Sequence, residues 1–238
     1  MDTIIKSGPA PTTSFGTALQ PLVVDSTFGA GRVVLKPDEF NFGSFNGGHF
    51  RAGQVSGALT GAGAASTVFS MRWALSPGLF LLKRLSIGLA LTTAFTAGQL
   101  LDYDVVRVSN FTAADTGGTS LLPFSTGINK KRTQTMSNAQ VSDMRISSTA
   151  ALAAGTKTQD ANPFGFTMVE PINLAVPTAT AQGGFMPMVD LYVQNENAEY
   201  PQMFGNNEGF NIRNITAMGA AGVIKLYVVV DWAEVPNL

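Results

Sequence analysis

Few side chains in this 238-residue sequence have the types and spacing that catalysis requires. There is no cysteine, which excludes disulfides and thiolate metal sites. The one histidine, His49, lies in a stretch of glycine and phenylalanine. A zinc site there would need three carboxylates around it. A Ser-His-Asp triad would have to use His49, yet no G-x-S-x-G turn is present. A general base also needs a second, orienting group, so His49 reads as a polar loop residue. The carboxylates offer more. Asp102 and Asp104 lie two apart in a strand pattern and share one face, beside Arg107. Asp231 and Glu234 end the last strand pattern, and Glu196 and Glu199 lie in a polar loop. Two carboxyl groups suffice for glycoside hydrolysis, but ion pairs and solvated strand ends are the commoner use of such residues. The same acids form no EF-hand calcium loop.

The remaining polar signals are weaker. Gly57, Gly61 and Gly63 are not followed by Lys-Ser or Lys-Thr and open no phosphate-binding unit. Lys130, Lys131 and Arg132 form a basic cluster, too small for nucleic acid and suited to a loop tip or an inter-subunit salt contact. Asn110-Phe-Thr112 and Asn214-Ile-Thr216 match the glycosylation sequon, but the first residues show no basic region followed by an apolar run, so no secretion signal is expected. Charged residues make up 13% of the chain, about half the usual share, and the net charge is −1. That balance excludes an electrostatic nucleic-acid binder and suits a subunit packed among neighbours.

The elements that must position these residues read as strands. Ile224, Leu226, Val228, Val230 and Trp232 alternate along the final stretch, one face of a pleated strand. Phe210, Ile212 and Ile215 make a shorter strand before it, and Met218 to Gly222 supplies a flexible turn, so the two together predict a β-hairpin. Phe69, Met71, Trp73 and Leu75 alternate in the same way, and Ser76-Pro77-Gly78 stops them. Residues 79–95 and 100–108 predict two further strands, and the apolar window 85–101 is a buried strand rather than a membrane span. Short strands are expected at 55–60, around Val141 to Ile146, and at 164–169 and 186–193. The polar region 110–165 predicts long excursions at one end of a sandwich.

With 45% apolar residues, many short strands and no long amphipathic helix, the chain is expected to be all-β, a jelly-roll-like antiparallel sandwich over residues 51–238. Residues 1–50 predict an extended N-terminal arm, broken by Pro9, Pro11, Pro21 and Pro37. Phe40, Phe42, Phe45 and Phe50 space aromatic rings along its end. They are expected either to anchor in neighbouring subunits or to fold back over the chain's own core.

Several stretches together resemble structural proteins of tailed bacteriophages. They are Phe69-Ser-Met-Arg-Trp73 with Lys83 to Ile87 and Thr92 to Ala97, Val108 to Thr119, Val141 to Leu152, and the closing Asn207 to Asn214 and Val228 to Val235. The likeness spans about residues 65–235 and is closest to head decoration, or cement, subunits. It implies a non-enzymatic virion protein on the capsid surface, assembled in the host cytoplasm, with no cofactor, nucleic acid or membrane partner. Its partners would be the major capsid protein and copies of itself, as a homotrimer; the contact residues expected from the sequence pattern, apart from the likeness, are Phe40, Phe42, Phe45, Phe50, Lys130, Lys131 and Arg132. Two other classes compete. A receptor- or glycan-binding module of a tail or head fibre would stack sugars on Tyr192, Tyr200, Trp73 or Trp232, although the two tryptophans lie on apolar strand faces and read as core. A glycosidase would need two of the carboxylates brought to working separation.

Overall fold

The computed structural model describes residues 48–121, 138–172, 185–194 and 201–235, and all of its regular structure is β. Twelve strands follow in order: β1 (Gly48–Val55), β2 (Ser66–Trp73), β3 (Leu79–Thr93), β4 (Gln99–Ser109), β5 (Thr119–Ser120), β6 (Asp143–Ile146), β7 (Thr158–Gln159), β8 (Gly165–Ile172), β9 (Phe185–Val193), β10 (Gln202–Phe204), β11 (Glu208–Asn214) and β12 (Val223–Val235). One sheet has the order β1-β12-β3, with β3 also pairing β10 and β9. The other has the order β5-β6-β2-β11-β4, with β4 pairing both β7 and β8. All of these pairings are antiparallel.

Eight strands have seven residues or more. Taken in chain order, the first, eighth, third and sixth of them form one sheet and the second, seventh, fourth and fifth the other. The chain therefore changes sheet at each long connection except β4 to β8, which is the connectivity of a jelly roll. The inner faces are those that the alternation marks out. Ile224, Leu226, Val228 and Val230 of β12 meet Phe69, Met71 and Trp73 of β2 and Phe210 and Ile212 of β11 in one buried core. Aromatic rings fill one part of it: Trp232 stacks on Phe80 at 5.6 Å and on Phe50 at 5.5 Å, and Phe204 meets Phe210 at 5.6 Å. Each buried indole N–H has a partner, Trp73 donating to the Gly78 carbonyl and Trp232 to Glu234, both at 3.0 Å.

Four expectations change. β11 and β12 are consecutive but form no hairpin: β11 pairs β2 and β4, while β12 pairs β1 and β3 in the other sheet. The eight residues between them span the roughly 10 Å gap between stacked sheets. Crossing lets β12 pair along its whole length with the equally apolar β3. Residues 55–60 are not a strand; β1 ends at Val55 and only Leu59 bridges to Ile224. The arm boundary at residue 50 also shifts, because Gly48, His49 and Phe50 already pair with Glu234, Ala233 and Trp232. Finally, the described parts of the polar region 110–165 do not gather at one end of the sandwich. Part of the region extends the second sheet as β5, β6 and β7, and the Gln140 amide reaches Glu234 of β12. Residues 111–115 with 155–157 lie over the outer face of the β2-β11-β4 sheet, where Arg72 on β2 donates to the Phe111 carbonyl at 2.5 Å and to the Thr112 carbonyl at 3.0 Å. No described helix is long and apolar enough to cross a membrane.

Candidate functional site

Among the described residues, the carboxylates singled out by sequence are each held by separate donors rather than paired with each other. Asp102 and Asp104 do share the outer face of β4. Asp104 forms a two-pronged ion pair with Arg213 of β11, Nε to Oδ1 at 2.9 Å and Nη2 to Oδ2 at 2.5 Å. Asp102 accepts from the Thr216 amide at 2.8 Å and its hydroxyl at 3.0 Å. Arg107 is not beside them. Being odd-numbered against their even positions, it lies on the other face, where it donates to Glu208 at 2.8 Å and covers the Phe204 ring at 5.0 Å. Glu208 also accepts from the Gly205 amide at 2.7 Å, and with Leu79, Pro201 and Met203 these groups line an open recess of about 450 Å³.

Asp231 and Glu234 serve different partners. Asp231 is held by Arg51 through two contacts of 2.6 Å on the outer face of the β1-β12-β3 sheet, and Arg51 is raised above its usual pKa chiefly by that hydrogen bond. Glu234 is fully buried and accepts from the Trp232 indole at 3.0 Å and the Gln140 amide at 2.8 Å. Burial pushes its carboxyl up to about 7, against the pull of those donors. Next to Arg51 and Asp231, Arg84 donates to Asp190 at 2.7 Å and Ser86 to the same oxygen at 2.5 Å, which holds Asp190 below the usual carboxylate range against its desolvation.

Beyond these ion pairs the same outer face turns apolar. Val55 pairs Tyr227, which pairs Gly88. The Met188 thioether lies over Gly88, where an added Cβ would stand 2.9 Å from its sulfur. Val55, Tyr227 and Met188 are 40%, 38% and 43% exposed. Isolated exposed apolar residues are ordinary; three aligned across adjacent strands form a patch.

A third cluster escaped sequence reasoning. On the outer face of the β2-β11-β4 sheet, Asp115 is fully buried and accepts from the Gly155 amide at 2.7 Å and from Lys157 Nζ at 2.5 Å. The Lys157 side chain is 5% exposed, its Nζ lies 5.0 Å from the centre of the Phe111 ring, and burial lowers its pKa more than Asp115 raises it. Asn211 of β11, also fully buried, presents Oδ1 to Lys157 Nζ at 2.7 Å and to Gln159 Nε2 at 2.8 Å, since the reverse orientation would set its NH2 against two donors. Its Nδ2 then donates to the Phe210 carbonyl at 3.0 Å and to Ser70 Oγ at 3.1 Å. Asp115 and Lys157 stand 42 positions apart in loops, so no local pattern announces them.

His49 sits in β1 opposite Ala233 rather than in a loop. Phe50, expected as a partner contact, is fully buried and stacked on Trp232. Its backbone already belongs to the sheet, so its ring must point into this chain's own core. Trp73 and Trp232 are fully buried, as their strand faces predict, and offer no platform to a sugar. Tyr192 packs edge-on against Phe164 at 5.7 Å and its hydroxyl accepts from the Gln202 amide at 3.1 Å. Asn214 is fully buried, so the second sequon presents no acceptor in the folded chain. Phe40, Phe42, Phe45, Lys130, Lys131, Arg132, Glu196, Glu199 and Tyr200 lie outside the described residues. Among the described residues no three His, Asp or Glu side chains gather as metal ligands. In sequence comparison the chain matches no protein-family model and no curated protein.

Proposed function

We propose that this chain is a non-enzymatic subunit of a tailed-bacteriophage virion, a decoration or cement protein seated on the capsid surface as a homotrimer. Its partners are the major capsid protein and its own copies, and it assembles in the host cytoplasm. The sequence resemblance over residues 65–235 motivates the reading. The observation that carries it is the patch formed by Val55, Tyr227 and Met188 on an open sheet face. Interface cores are enriched in aromatic residues and methionine and depleted of unpaired charge. Two ion pairs beside this patch suit that role, because Arg51 with Asp231 and Arg84 with Asp190 neutralise each other within the chain, while Lys225, exposed on the same face of β12, would sit at the polar rim of the contact.

The test is to add purified protein to capsids that lack it and image them by electron microscopy. Regular density over the shell is expected for the wild type. A Met188→Asp, Tyr227→Asp variant, exposed at both positions and so expected to fold, should lose that occupancy. No shell density for the wild type, or full occupancy by the variant, would overturn the reading.

A further inference from the structure

The buried cluster on the outer face of the β2-β11-β4 sheet holds a nucleophile, an electrophile and a proton carrier in contact. We infer that Lys157 and Asn211 join through an intramolecular isopeptide bond, formed by the folded chain on itself with Asp115 as the proton carrier. This inference is independent of the virion reading above.

The chemistry needs an uncharged lysine amine, a polarised amide and an acid that can move protons without water. Each requirement has a residue. Lys157 and Asp115 contact each other in a site where both side chains are at least nine-tenths buried. Removing an ion pair from water favours passing the proton from ammonium to carboxylate, which leaves an amine beside a neutral carboxyl group. The Phe111 ring closes one side of Nζ and the Gly155 amide fixes one Asp115 oxygen, so the carboxyl is held in place.

The electrophile is equally constrained. Lys157 Nζ lies 2.7 Å from Asn211 Oδ1, so with a carbonyl bond of about 1.23 Å the amide carbon Cγ stands no more than about 3.9 Å from the amine. That is close to the separation of a near-attack arrangement, about 3–3.5 Å. Gln159 Nε2 donates to the same oxygen at 2.8 Å, where negative charge develops when Cγ becomes tetrahedral. The departing nitrogen, Nδ2, is held by the Phe210 carbonyl and Ser70 Oγ.

The step balances without an oxidant or cofactor. Asp115 takes one proton from the Lys157 ammonium, Nζ attacks Asn211 Cγ, and Asp115 gives that proton to the leaving nitrogen as the Cγ–Nδ2 bond breaks. Asp115 then takes the second proton that Nζ must lose, and the released ammonia carries it off as ammonium. One ammonia departs and one Nζ–Cγ amide forms. The bond ties β11 to the loop just before β7, and so fastens the covering segment to the sheet. An ordinary buried ion pair is the competing account, and the two differ in mass.

The experiment is intact mass spectrometry of the denatured full-length protein, followed by tryptic mapping. The expected result is a mass lower than the sequence requires by one ammonia, with a branched peptide linking Lys157 to Asn211. Asp115→Ala and Lys157→Met variants should each return the full sequence mass. Branched-peptide detection in the wild type stands even if a variant fails to fold. A wild-type mass equal to that of the sequence, or an ammonia loss mapped to a linear peptide, would overturn the inference. Loss of water with a Lys157–Asp115 branch would overturn it too.

Discussion

Glu234 offers the sharpest quantitative test of the fold. Its carboxyl is fully buried beside Trp232 and Gln140, and burial raises its pKa from 4.5 to about 7. Below pH 4.5 the group is protonated in both folded and unfolded chains and imposes no charge on the core. As pH rises, the unfolded chain ionises first while the folded chain holds its proton until about 7. Unfolding therefore releases a proton across that window, and stability falls with rising pH until it levels off above the folded pKa. With about 1.4 kcal/mol per pKa unit, a rise of this size corresponds to roughly 3 kcal/mol lost between the two limits. Glu234→Gln keeps the shape and an oxygen that accepts from the indole and the Gln140 amide, but it cannot ionise. Urea unfolding followed by tryptophan fluorescence suits the measurement, because both Trp73 and Trp232 are buried. The stability difference, wild type minus variant, should fall by about 3 kcal/mol between pH 4.5 and 8, the mutant curve removing every other titrating group from the comparison. Parallel curves, with the difference constant within about 0.5 kcal/mol, would refute the argument.

Gly209 of β11 is a glycine because the β2 backbone comes too close for a side chain: an added Cβ would stand 1.9 Å from the Met71 carbonyl oxygen. Gly209→Ala should cost about 3 kcal/mol or more and lower Tm by roughly 6–12 °C in calorimetry, and a change within about 0.5 kcal/mol would contradict the close approach. Tyr103 is fully buried on the inner face of β4, and its hydroxyl has no hydrogen-bond partner among the described residues. Tyr103→Phe should therefore be neutral or stabilising by about 1 kcal/mol in the same urea assay, and a loss larger than about 1 kcal/mol would show that the hydroxyl is satisfied in solution.

The alternation of apolar residues in β2, β3 and β12 determined much of this protein from sequence alone. It marked the strands, the inward face of each and the burial of Trp73 and Trp232, because side-chain direction in a strand is a local property with a period of two. Pairing is not local, so only the tertiary structure decided that β11 and β12 lie in different sheets, although a Gly-rich turn joins them. The same limit governs the polar residues. Sequence placed Asp102 and Asp104 on one face, but not the Arg213 that neutralises Asp104 from β11. Nor could any spacing show that Lys157 meets Asp115 and Asn211 in one buried pocket. What a charge or an amine can do depends on which groups surround it and whether water reaches it, and the fold fixes both by bringing distant segments together.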